Sequence, residues 1–274
     1  MVDRLKGKVA IVTGASRGLG EYCALGFARE GAKVAVAART VEQKDPRLPG
    51  TIYHTCKLIE EAGGEALPII CNVADEASIA DMVRQVTGHW GRIDILMNNA
   101  AIQPPGDNAT ITPKHWELQF KVNVHGPFHC IRAVLPVMTE QKSGNIINIS
   151  SVGSTHGTPY GGTKRALEAM TEGLGVELRE QNIVVNALKP MSAIETPGFL
   201  FAQLPRNEGE TPTLPPQDSY VEAAILLAIQ SVDSFTGRVH DDAEVIGLLA
   251  DEATKDKFRE LNPDYWAAAM DNAK

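Results

Sequence analysis

The chain has 274 residues, of which 43% are hydrophobic, and its 26 Lys and Arg against 34 Asp and Glu give a net charge of −8. This apolar content excludes a disordered chain. The acidic balance argues against a nucleic-acid partner, because binding to a phosphate backbone depends on clustered Lys and Arg. The start of the chain lacks the pattern of a secretory signal, and no apolar run approaches the roughly 20 residues that span a bilayer. We therefore expect a cytoplasmic protein that binds neither membrane nor nucleic acid.

Short runs rich in Val and Ile alternate along the chain with segments of helical periodicity. The runs predict strands over residues 8–12, 33–37, 67–70, 93–97, 145–149 and 183–188. Helices are predicted over residues 19–30, 52–61, 77–88, 113–138 and 160–180. Such alternation requires crossover helices on both faces of a parallel sheet. The sequence therefore predicts a single α/β domain over residues 1–274, with a Rossmann-like, doubly wound sheet of about seven parallel strands.

Three segments depart from this alternation. Gly126 and Pro127 interrupt the fourth predicted helix, where the proline predicts a kink. Residues 40–51 contain prolines and charges and are predicted to form a surface loop before the second helix. Residues 190–217 are rich in proline and carry the apolar sequence F-L-F, which predicts a substrate-binding flap beside a pocket.

A glycine-rich turn joins the first predicted strand to the first predicted helix. Its glycines allow a tight turn, close approach of a pyrophosphate and packing of the helix on the sheet, and the helix N-terminus offers unpaired amides to the anion. A purely structural turn is the alternative interpretation. The predicted contacts to a dinucleotide come from Gly14, Ser16, Arg17, Gly18, Leu19 and Gly20.

The end of the second predicted strand indicates which dinucleotide binds. An acidic residue there would hold a free ribose hydroxyl, whereas this chain has Ala38 followed by Arg39, and Arg17 supplies a second guanidinium. Since a charge-assisted contact contributes about 1.5–3 kcal/mol, we expect NADP(H) to bind at least about tenfold more tightly than NAD(H). Two surface arginines brought there by coincidence are the alternative.

Tyr160 and Lys164 lie four residues apart, so that both side chains face one side of the last predicted helix. They follow a strand that ends in Ser150 and Ser151, at the sheet edge where open α/β folds bind ligands. A carbonyl that accepts hydride needs a proton donor, and a tyrosine can supply the proton if the pKa of its phenol is lowered. We expect the Lys164 ammonium, together with an oxidised nicotinamide, to lower that pKa.

Several motifs occur in one order along most of the chain: T-G-x-x-x-G-x-G at 13–20, N-N-A-A at 98–101, Y-x-x-x-K at 160–164 and T-G at 236–237. Together they resemble the short-chain dehydrogenase/reductase family. The resemblance implies a homo-oligomer, a dimer or a tetramer, and a nicotinamide cofactor. It also implies a catalytic tetrad of Asn123, Ser151, Tyr160 and Lys164. By this resemblance, Asn123 anchors a water that relays protons and Lys164 holds the nicotinamide ribose. Ser151 and Tyr160 lie beside the substrate.

The resemblance implies further cofactor contacts, and the sequence departs from the family at some of them. These contacts are Asn72, Val73, Asn99, Ala100, Tyr160, Lys164, Pro190, Ile194 and Thr196. Asn72 stands where the family usually has an aspartate, and Met191 where it has a glycine. Only eight residues separate Ser151 from Tyr160, fewer than the family commonly has, so Ser150 and Ser154 remain alternatives for the catalytic serine. The extra P-R-L-P-G-T-I-Y at 46–53 resembles the hydroxysteroid dehydrogenase-like branch.

Other candidate sites are weak. His125 and His129 are four residues apart, but no glutamate follows the first, and the four cysteines form no C-x-x-C pair, so we expect no metal. His156 precedes Tyr160 and is a candidate to line the pocket, although a surface histidine is the simpler interpretation.

The predicted pocket is apolar, which favours a ketone, an aldehyde or a secondary alcohol on a hydrophobic small molecule. The residues that predict it are Ile102, Met191, Ile194, Phe199, Leu200 and Phe201. An NADP-binding regulator of the same fold with little or no catalysis is the alternative, because the connection between Ser151 and Tyr160 is short.

Overall fold

The computed structural model describes residues 3–192, 194, 196–197 and 217–261. The predicted flap cluster, residues 199–201, lies outside this part of the chain, as does most of segment 190–217. The described strands form one seven-stranded sheet in the order β3-β2-β1-β4-β5-β6-β7, and every neighbouring pair is parallel. They are β1 (Val9–Thr13), β2 (Lys33–Ala38), β3 (Glu65–Ile70), β4 (Ile95–Asn98), β5 (Gly144–Ile149), β6 (Ile183–Lys189) and β7 (Arg238–Asp241). The predicted fold class is confirmed.

Helices cover both faces of this sheet. Alternate residues of β1 divide between two cores, since Ala10 and Val12 pack into one cluster and Val9 and Ile11 into the other. The described helices are α1 (Gly18–Arg29), α2 (Ile52–Glu61), α3 (Glu76–Trp90), α4 (Pro113–Phe120), α5 (Gly126–Gln141), α6 (Pro159–Glu177), α7 (Asp218–Ala228), α8 (Asp242–Leu249) and α9 (Glu252–Leu261). None of the helices in the described ranges is long and apolar enough to cross a membrane.

The order of the strands reverses between β1 and β4, because the chain runs outward from β1 to β3 and then returns to the other side of β1. The carboxyl ends of β1 and β4 therefore flank the crevice at which open α/β sheets bind their ligands. The glycine turn follows β1, the N-N-A-A motif begins at the end of β4, and the serines follow β5. The fold thus brings these three motifs to one edge of the sheet.

Two elements differ in detail from the sequence predictions. The irregularity predicted at Gly126 and Pro127 is a π-helical turn over Lys121–His125, which joins α4 to α5 without a break in the helical backbone. Pro127 follows this turn directly, in the first turn of α5. Strand β7 had no individual prediction, because R-V-H-D is half-buried and lacks the apolar run by which the other strands were identified.

Candidate active site

The glycine turn leaves no room for a side chain at its glycine positions. Gly14 and Gly18 have φ angles of +67° and +61°, which favour glycine. A Cβ at Gly14 would lie 2.8 Å from Ala100 Cα, and one at Gly20 would lie 2.4 Å from Asn99 Nδ2. The turn ends at the N-terminus of α1, where no side chain caps the first amides. These observations fit a dinucleotide diphosphate, which needs close backbone approach and donor N–H groups.

The N-N-A-A motif holds this turn in place. Asn99 Nδ2 donates to the carbonyl of Thr13 at 2.8 Å and to that of Gly14 at 3.3 Å. The hydroxyl of Thr13 in turn accepts from the backbone N–H groups of Asn99 at 3.0 Å and Ala100 at 3.1 Å. The structure therefore gives Asn99 and Ala100, both predicted cofactor contacts, a direct part in shaping the glycine turn.

Arg17 and Arg39, the two arginines predicted to meet a 2′-phosphate, are in different environments. Arg17 donates from Nε to the carbonyl of Pro49 at 2.9 Å and from Nη2 to that of Gly50 at 3.0 Å. It thereby holds segment 40–51 on the glycine turn, a contact that the sequence did not predict. Arg39 is exposed, and its side chain makes no hydrogen bond or ion pair to a described residue. Arg39 is thus the freer of the two cations.

Asn72 and Val73 follow the carboxyl end of β3, the strand that pairs with β2 at the edge of the sheet. Asn72 Oδ1 accepts from the backbone N–H of Ala74 at 3.2 Å, and Val73 is buried against Gly126. A cavity of about 1030 Å³ lies beside Asn72, and its walls also include Trp116, Phe120, His125 and His129. In the described parts of the chain, no group of three or more His, Cys, Asp or Glu could hold a metal ion.

Tyr160 lies in the first turn of α6, which begins with Pro159 after the N-cap Thr158. Ser151 Oγ accepts from the backbone N–H of Gly153 at 3.1 Å, and its hydroxyl lies close enough to the phenol of Tyr160 to lower the pKa of that group. Ser150, in contrast, donates to Glu168 at 2.6 Å, and the buried Ser154 Oγ makes no hydrogen bond to a described residue. Of the three candidate serines, Ser151 is therefore the one that meets Tyr160. The short connection does not turn its hydroxyl away.

Lys164 lies one helical turn beyond Tyr160 and is 2% exposed. Its Nζ donates to the carbonyl of Ile149 at 2.7 Å and lies 5.5 Å from the centroid of the Tyr160 ring. Burial lowers the pKa of Lys164 to about 8, although the charge of Glu168 acts to raise it. The ammonium form therefore predominates at neutral pH.

The pKa of Tyr160 moves in the direction opposite to the prediction. Burial raises it to about 12, and the nearby Ser151 hydroxyl offsets only part of this effect. The reason is geometric, since the Lys164 ammonium donates to a backbone carbonyl and loss of hydration dominates at the phenol. The lysine as oriented here does not lower the pKa of the tyrosine.

Asn123 lies in the π-helical turn and is buried. Its Oδ1 accepts from the N–H of Ile102 at 2.9 Å, and its Nδ2 donates to the carbonyl of Ile102 at 2.8 Å and to Thr163 Oγ1 at 3.1 Å. The Thr163 hydroxyl donates to the carbonyl of Tyr160 at 2.7 Å. Asn123 therefore ties the segment after β4 to the first turn of α6. Its water-anchoring role stays a prediction.

The segment after β6 reaches back to the glycine turn. Ile194 is buried in the core, and Thr196 lies beside Gly18, where a Cβ would be 3.2 Å from Thr196 Cβ. Pro190 is half-buried at the end of β6. Of these three predicted cofactor contacts, Thr196 is therefore the one that meets the glycine turn.

Some residues of the site had no prediction of a role. The buried carboxylate of Asp242 accepts from the N–H of Met191 at 2.7 Å and from the Ser219 hydroxyl at 2.8 Å, and it anchors the segment after β6. Glu168 faces the serines after β5. The sequence held a signal for Glu168, which extends the four-residue spacing of Tyr160 and Lys164, whereas the sequence around Asp242 carries no comparable signal. His156, a candidate for the pocket, is exposed.

Comparison with known proteins agrees with this geometry. The family model of the short chain dehydrogenases matches residues 8–199. The chain is 35% identical over 212 residues to the 3-oxoacyl-(acyl-carrier-protein) reductase FabG of Thermotoga maritima, covering 76% of this chain and 82% of the reductase. It is 33% identical over 249 residues to hydroxysteroid dehydrogenase-like protein 2 of Homo sapiens, covering 89% of this chain but 58% of that longer protein.

Among solved structures, a metagenomic short-chain oxidoreductase in complex with NADP is similar, with a TM-score of 0.70 and 31% sequence identity over 87% of this chain and 98% of that chain. The chain therefore belongs to the short-chain dehydrogenase/reductase family, as its motifs predicted. It is an oxidoreductase of that class, which acts on CH–OH or carbonyl groups with NAD(P).

Proposed function

We propose that the chain is an NADP(H)-dependent oxidoreductase that interconverts a ketone or aldehyde and the corresponding alcohol on a mainly apolar small molecule. The observation that carries the proposal is the meeting of Ser151 with Tyr160 at the sheet edge where the glycine turn opens, with Lys164 one helical turn away. A hydroxyl partner, a proton donor and a buried cation are the groups that carbonyl reduction needs.

The bound cofactor supplies the hydride to the reacting carbon, or accepts it in the opposite direction. Tyr160 donates its proton to the carbonyl oxygen as negative charge develops there, and Ser151 hydrogen-bonds the same oxygen. Lys164 turns from the carbonyl of Ile149 toward the ribose and the phenol, where its charge stabilises the phenolate that remains. Asn123 holds the first turn of α6 and anchors the water through which the proton is replaced.

The proposed preference for NADP(H) rests on Arg39. Its guanidinium is exposed at the end of β2, where a ribose 2′-phosphate would lie, and no acidic residue stands there to hold a free ribose hydroxyl. Arg17 contributes by holding segment 40–51 on the glycine turn. A similar structure, at 31% identity, is a complex with NADP.

An apolar substrate is favoured by Ile102 and Met191, which are half-buried in the segments after β4 and β6, whereas the predicted lining residue Ile194 is packed in the core. The aromatic cluster at 199–201 would extend this lining, although it lies outside the described residues. The substrate-binding role of segment 190–217, a cytoplasmic location and a dimer or tetramer stay predictions.

A direct assay tests the proposal. The purified protein is mixed with NADPH and a panel of apolar ketones and aldehydes, and the absorbance of the reduced nicotinamide is followed, with NADH in parallel. We expect turnover of at least one substrate, at a lower KM for NADPH than for NADH. Tight binding of NADPH without turnover of any substrate would favour the regulator and overturn the proposed activity.

A further inference from the structure

Glu168 is a buried carboxylate that the reaction as described does not use. It is 2% exposed and lies one helical turn beyond Lys164 on α6. One oxygen accepts from the Ser150 hydroxyl at 2.6 Å, and the other accepts from Arg165 at 3.0 Å. Burying a carboxylate is costly unless it is well bonded, so its place behind the proposed catalytic residues calls for a reason.

The reason lies in a set of pairwise contacts between residues at the end of β5 and residues on one face of α6. Residues 149–151 are consecutive, whereas their partners on α6 are spaced by four and therefore share one face of the helix. Each of the three meets one partner, in the pairs Ser151–Tyr160, Ile149–Lys164 and Ser150–Glu168. Glu168 thus supplies the third of the three contacts by which α6 packs against the end of β5.

The contact at Ser150 fixes the direction of Ser151. The backbone of Ser151 is extended, with φ −158° and ψ 148°. Successive side chains of an extended segment point to opposite sides, so a Ser150 hydroxyl held by Glu168 constrains where Ser151 points. The carboxylate therefore holds the short connection at the residue directly before the serine that meets Tyr160.

The charge of Glu168 acts on Lys164. The charged groups that face the carboxylate are Lys164 and Arg165 on its own helix and Lys189 at the end of β6. Burial alone acts to raise the pKa of Glu168, but the hydrogen bonds from Ser150 and Arg165 act to lower it, and the pKa lies below its ordinary value. A fixed negative charge beside a buried lysine favours its ammonium form.

We propose that Glu168 is a positioning residue for the reaction: through Ser150 it aims Ser151 at Tyr160, and through its charge it keeps Lys164 protonated, without touching substrate or cofactor. The inference rests on the proposed function, because Ser151, Tyr160 and Lys164 are the groups that this function employs.

The test is the substitution Glu168→Gln, which keeps the shape and removes the charge. Glu172→Gln, one turn further along α6 at an exposed glutamate, is the matched control. For Glu168→Gln we expect kcat to fall by about tenfold, because Ser150 loses its charged acceptor and Ser151 its alignment. We expect the alkaline limb of the pH profile to move down by about one unit, because removal of a nearby negative charge lowers the pKa of Lys164. The Kd for NADPH and the profile of the control stay as in the parent.

Two variants separate the two actions of the carboxylate. Ser150→Ala removes the hydrogen bond and keeps the charge, so kcat falls while the alkaline limb stays in place. Glu168→Asp keeps the charge with a shorter reach, so the alkaline limb returns to the parental pH without full recovery of kcat. This pair carries the test if thermal denaturation shows that Glu168→Gln does not fold. A parental kcat and pH profile in Glu168→Gln, or in both variants of the pair, overturns the proposal.

A measurement without turnover distinguishes failure of this inference from failure of the proposed function. In protein carrying ¹³C-labelled lysine, the Cε chemical shift of Lys164, assigned by its loss in Lys164→Met, reports protonation. We expect its titration near pH 8 in the parent, and at lower pH in Glu168→Gln. Movement of this titration in a protein that turns over no substrate overturns the function and upholds the charge coupling. Turnover with an unmoved titration overturns the coupling alone.

Discussion

The two ends of the crevice, at the glycine turn after β1 and at the serines after β5, are held together by different kinds of contact. Between the glycine turn and the N-N-A-A motif the contacts are neutral, since backbone amides and carbonyls meet the side chains of Thr13 and Asn99. At the end of β5 the contacts involve groups that ionise, because Tyr160, Lys164 and Glu168 lie on one face of α6 and face the sheet.

The difference separates the two tasks of the site. The turn that cradles a diphosphate works by shape, and an added methyl group should damage it at any pH. The face of α6 works by charge, so that a substitution which preserves shape should still change the reaction and its pH dependence. Substitutions that alter shape without charge, or charge without shape, therefore test the comparison.

We expect the largest effect on turnover from the removal of one hydroxyl group, that of Tyr160. Tyr160→Phe removes the proton donor and leaves the glycine turn untouched, so we expect kcat to fall by a factor on the order of 10³ or more. The Kd for NADPH, measured by fluorescence titration, should stay at the parental value.

The matched control is Tyr53→Phe, because Tyr53 also precedes a lysine by four residues but is 53% exposed on α2. This control should keep the parental kcat. Retained turnover in Tyr160→Phe would remove Tyr160 from the mechanism, and loss of NADPH binding would mean that the two ends of the crevice are not separable.

At the other end, Gly14→Ala should act through shape. The backbone is in the left-handed region, with φ +67°, and the new Cβ would lie 2.8 Å from Ala100 Cα, which is backbone and cannot move aside cheaply. We expect the free energy of unfolding to fall by about 3 kcal/mol, as measured by urea denaturation, at all pH values tested.

Gly88→Ala is the control for this substitution. Gly88 lies within α3 with no atom within 4 Å of its added Cβ, so the change should raise the free energy of unfolding by about 0.5–1 kcal/mol. If Gly14→Ala lowered the free energy of unfolding only slightly, as substitutions of exposed residues do, this result would contradict the view that the turn leaves no room for a side chain at this position.

Lys164→Met tests whether the buried charge costs stability. Burial lowers the pKa of Lys164 from its ordinary value of 10.5 to about 8, so the folded protein binds fewer protons than the unfolded chain between these values. The cost of burying the ammonium is therefore present in full below about pH 8 and is lost as the pH rises toward 10.5.

Methionine avoids this cost but leaves the carbonyl of Ile149 without its donor. We expect a net gain of about 2 kcal/mol in the free energy of unfolding at neutral pH, together with loss of turnover. The gain should shrink as the pH is raised. Lys57→Met, at an exposed lysine of α2, should change stability little. Loss of stability in Lys164→Met at neutral pH would mean that the lysine stabilises the fold, and the comparison would then fail at this end.

The sequence predicted the fold well because buried parallel strands require continuous apolar runs, and those of β1 to β6 are plain in the chain. It predicted where the motifs meet, because the carboxyl ends of parallel strands share one edge. It could not predict the partners of Arg17, since these are backbone carbonyls of residues 49 and 50, and any residue type supplies a carbonyl.

The orientation of the serines was also beyond the sequence. Ser150, Ser151 and Ser154 are chemically identical, and the facing helix distinguishes them, because Ser150 bonds Glu168 whereas Ser151 lies beside Tyr160. The pKa of Tyr160 was predicted in the wrong direction for a related reason. Spacing indicates which side chains share a helix face, whereas the pKa depends on hydration and on the atom to which Lys164 donates.

The smallest expected effect concerns the one charge proposed to act at the nucleotide end. Arg39→Ala should raise the Kd for NADPH by about tenfold, the value of one charge-assisted contact to a phosphate, and should leave the Kd for NADH unchanged. Arg29→Ala, at an exposed arginine in the last turn of α1, is the control and should change neither constant.

Arg17→Ala separates charge from shape at the same end. Because Arg17 holds segment 40–51 on the glycine turn, its loss should weaken NADPH and NADH alike, whereas loss of Arg39 should weaken NADPH alone. A selective effect at Arg17 with none at Arg39 would reverse these roles and would mean that segment 40–51 moves away to release the Arg17 guanidinium. An equal effect on both nucleotides at Arg39 would remove the 2′-phosphate from its contacts, and shape alone would then govern this end of the crevice.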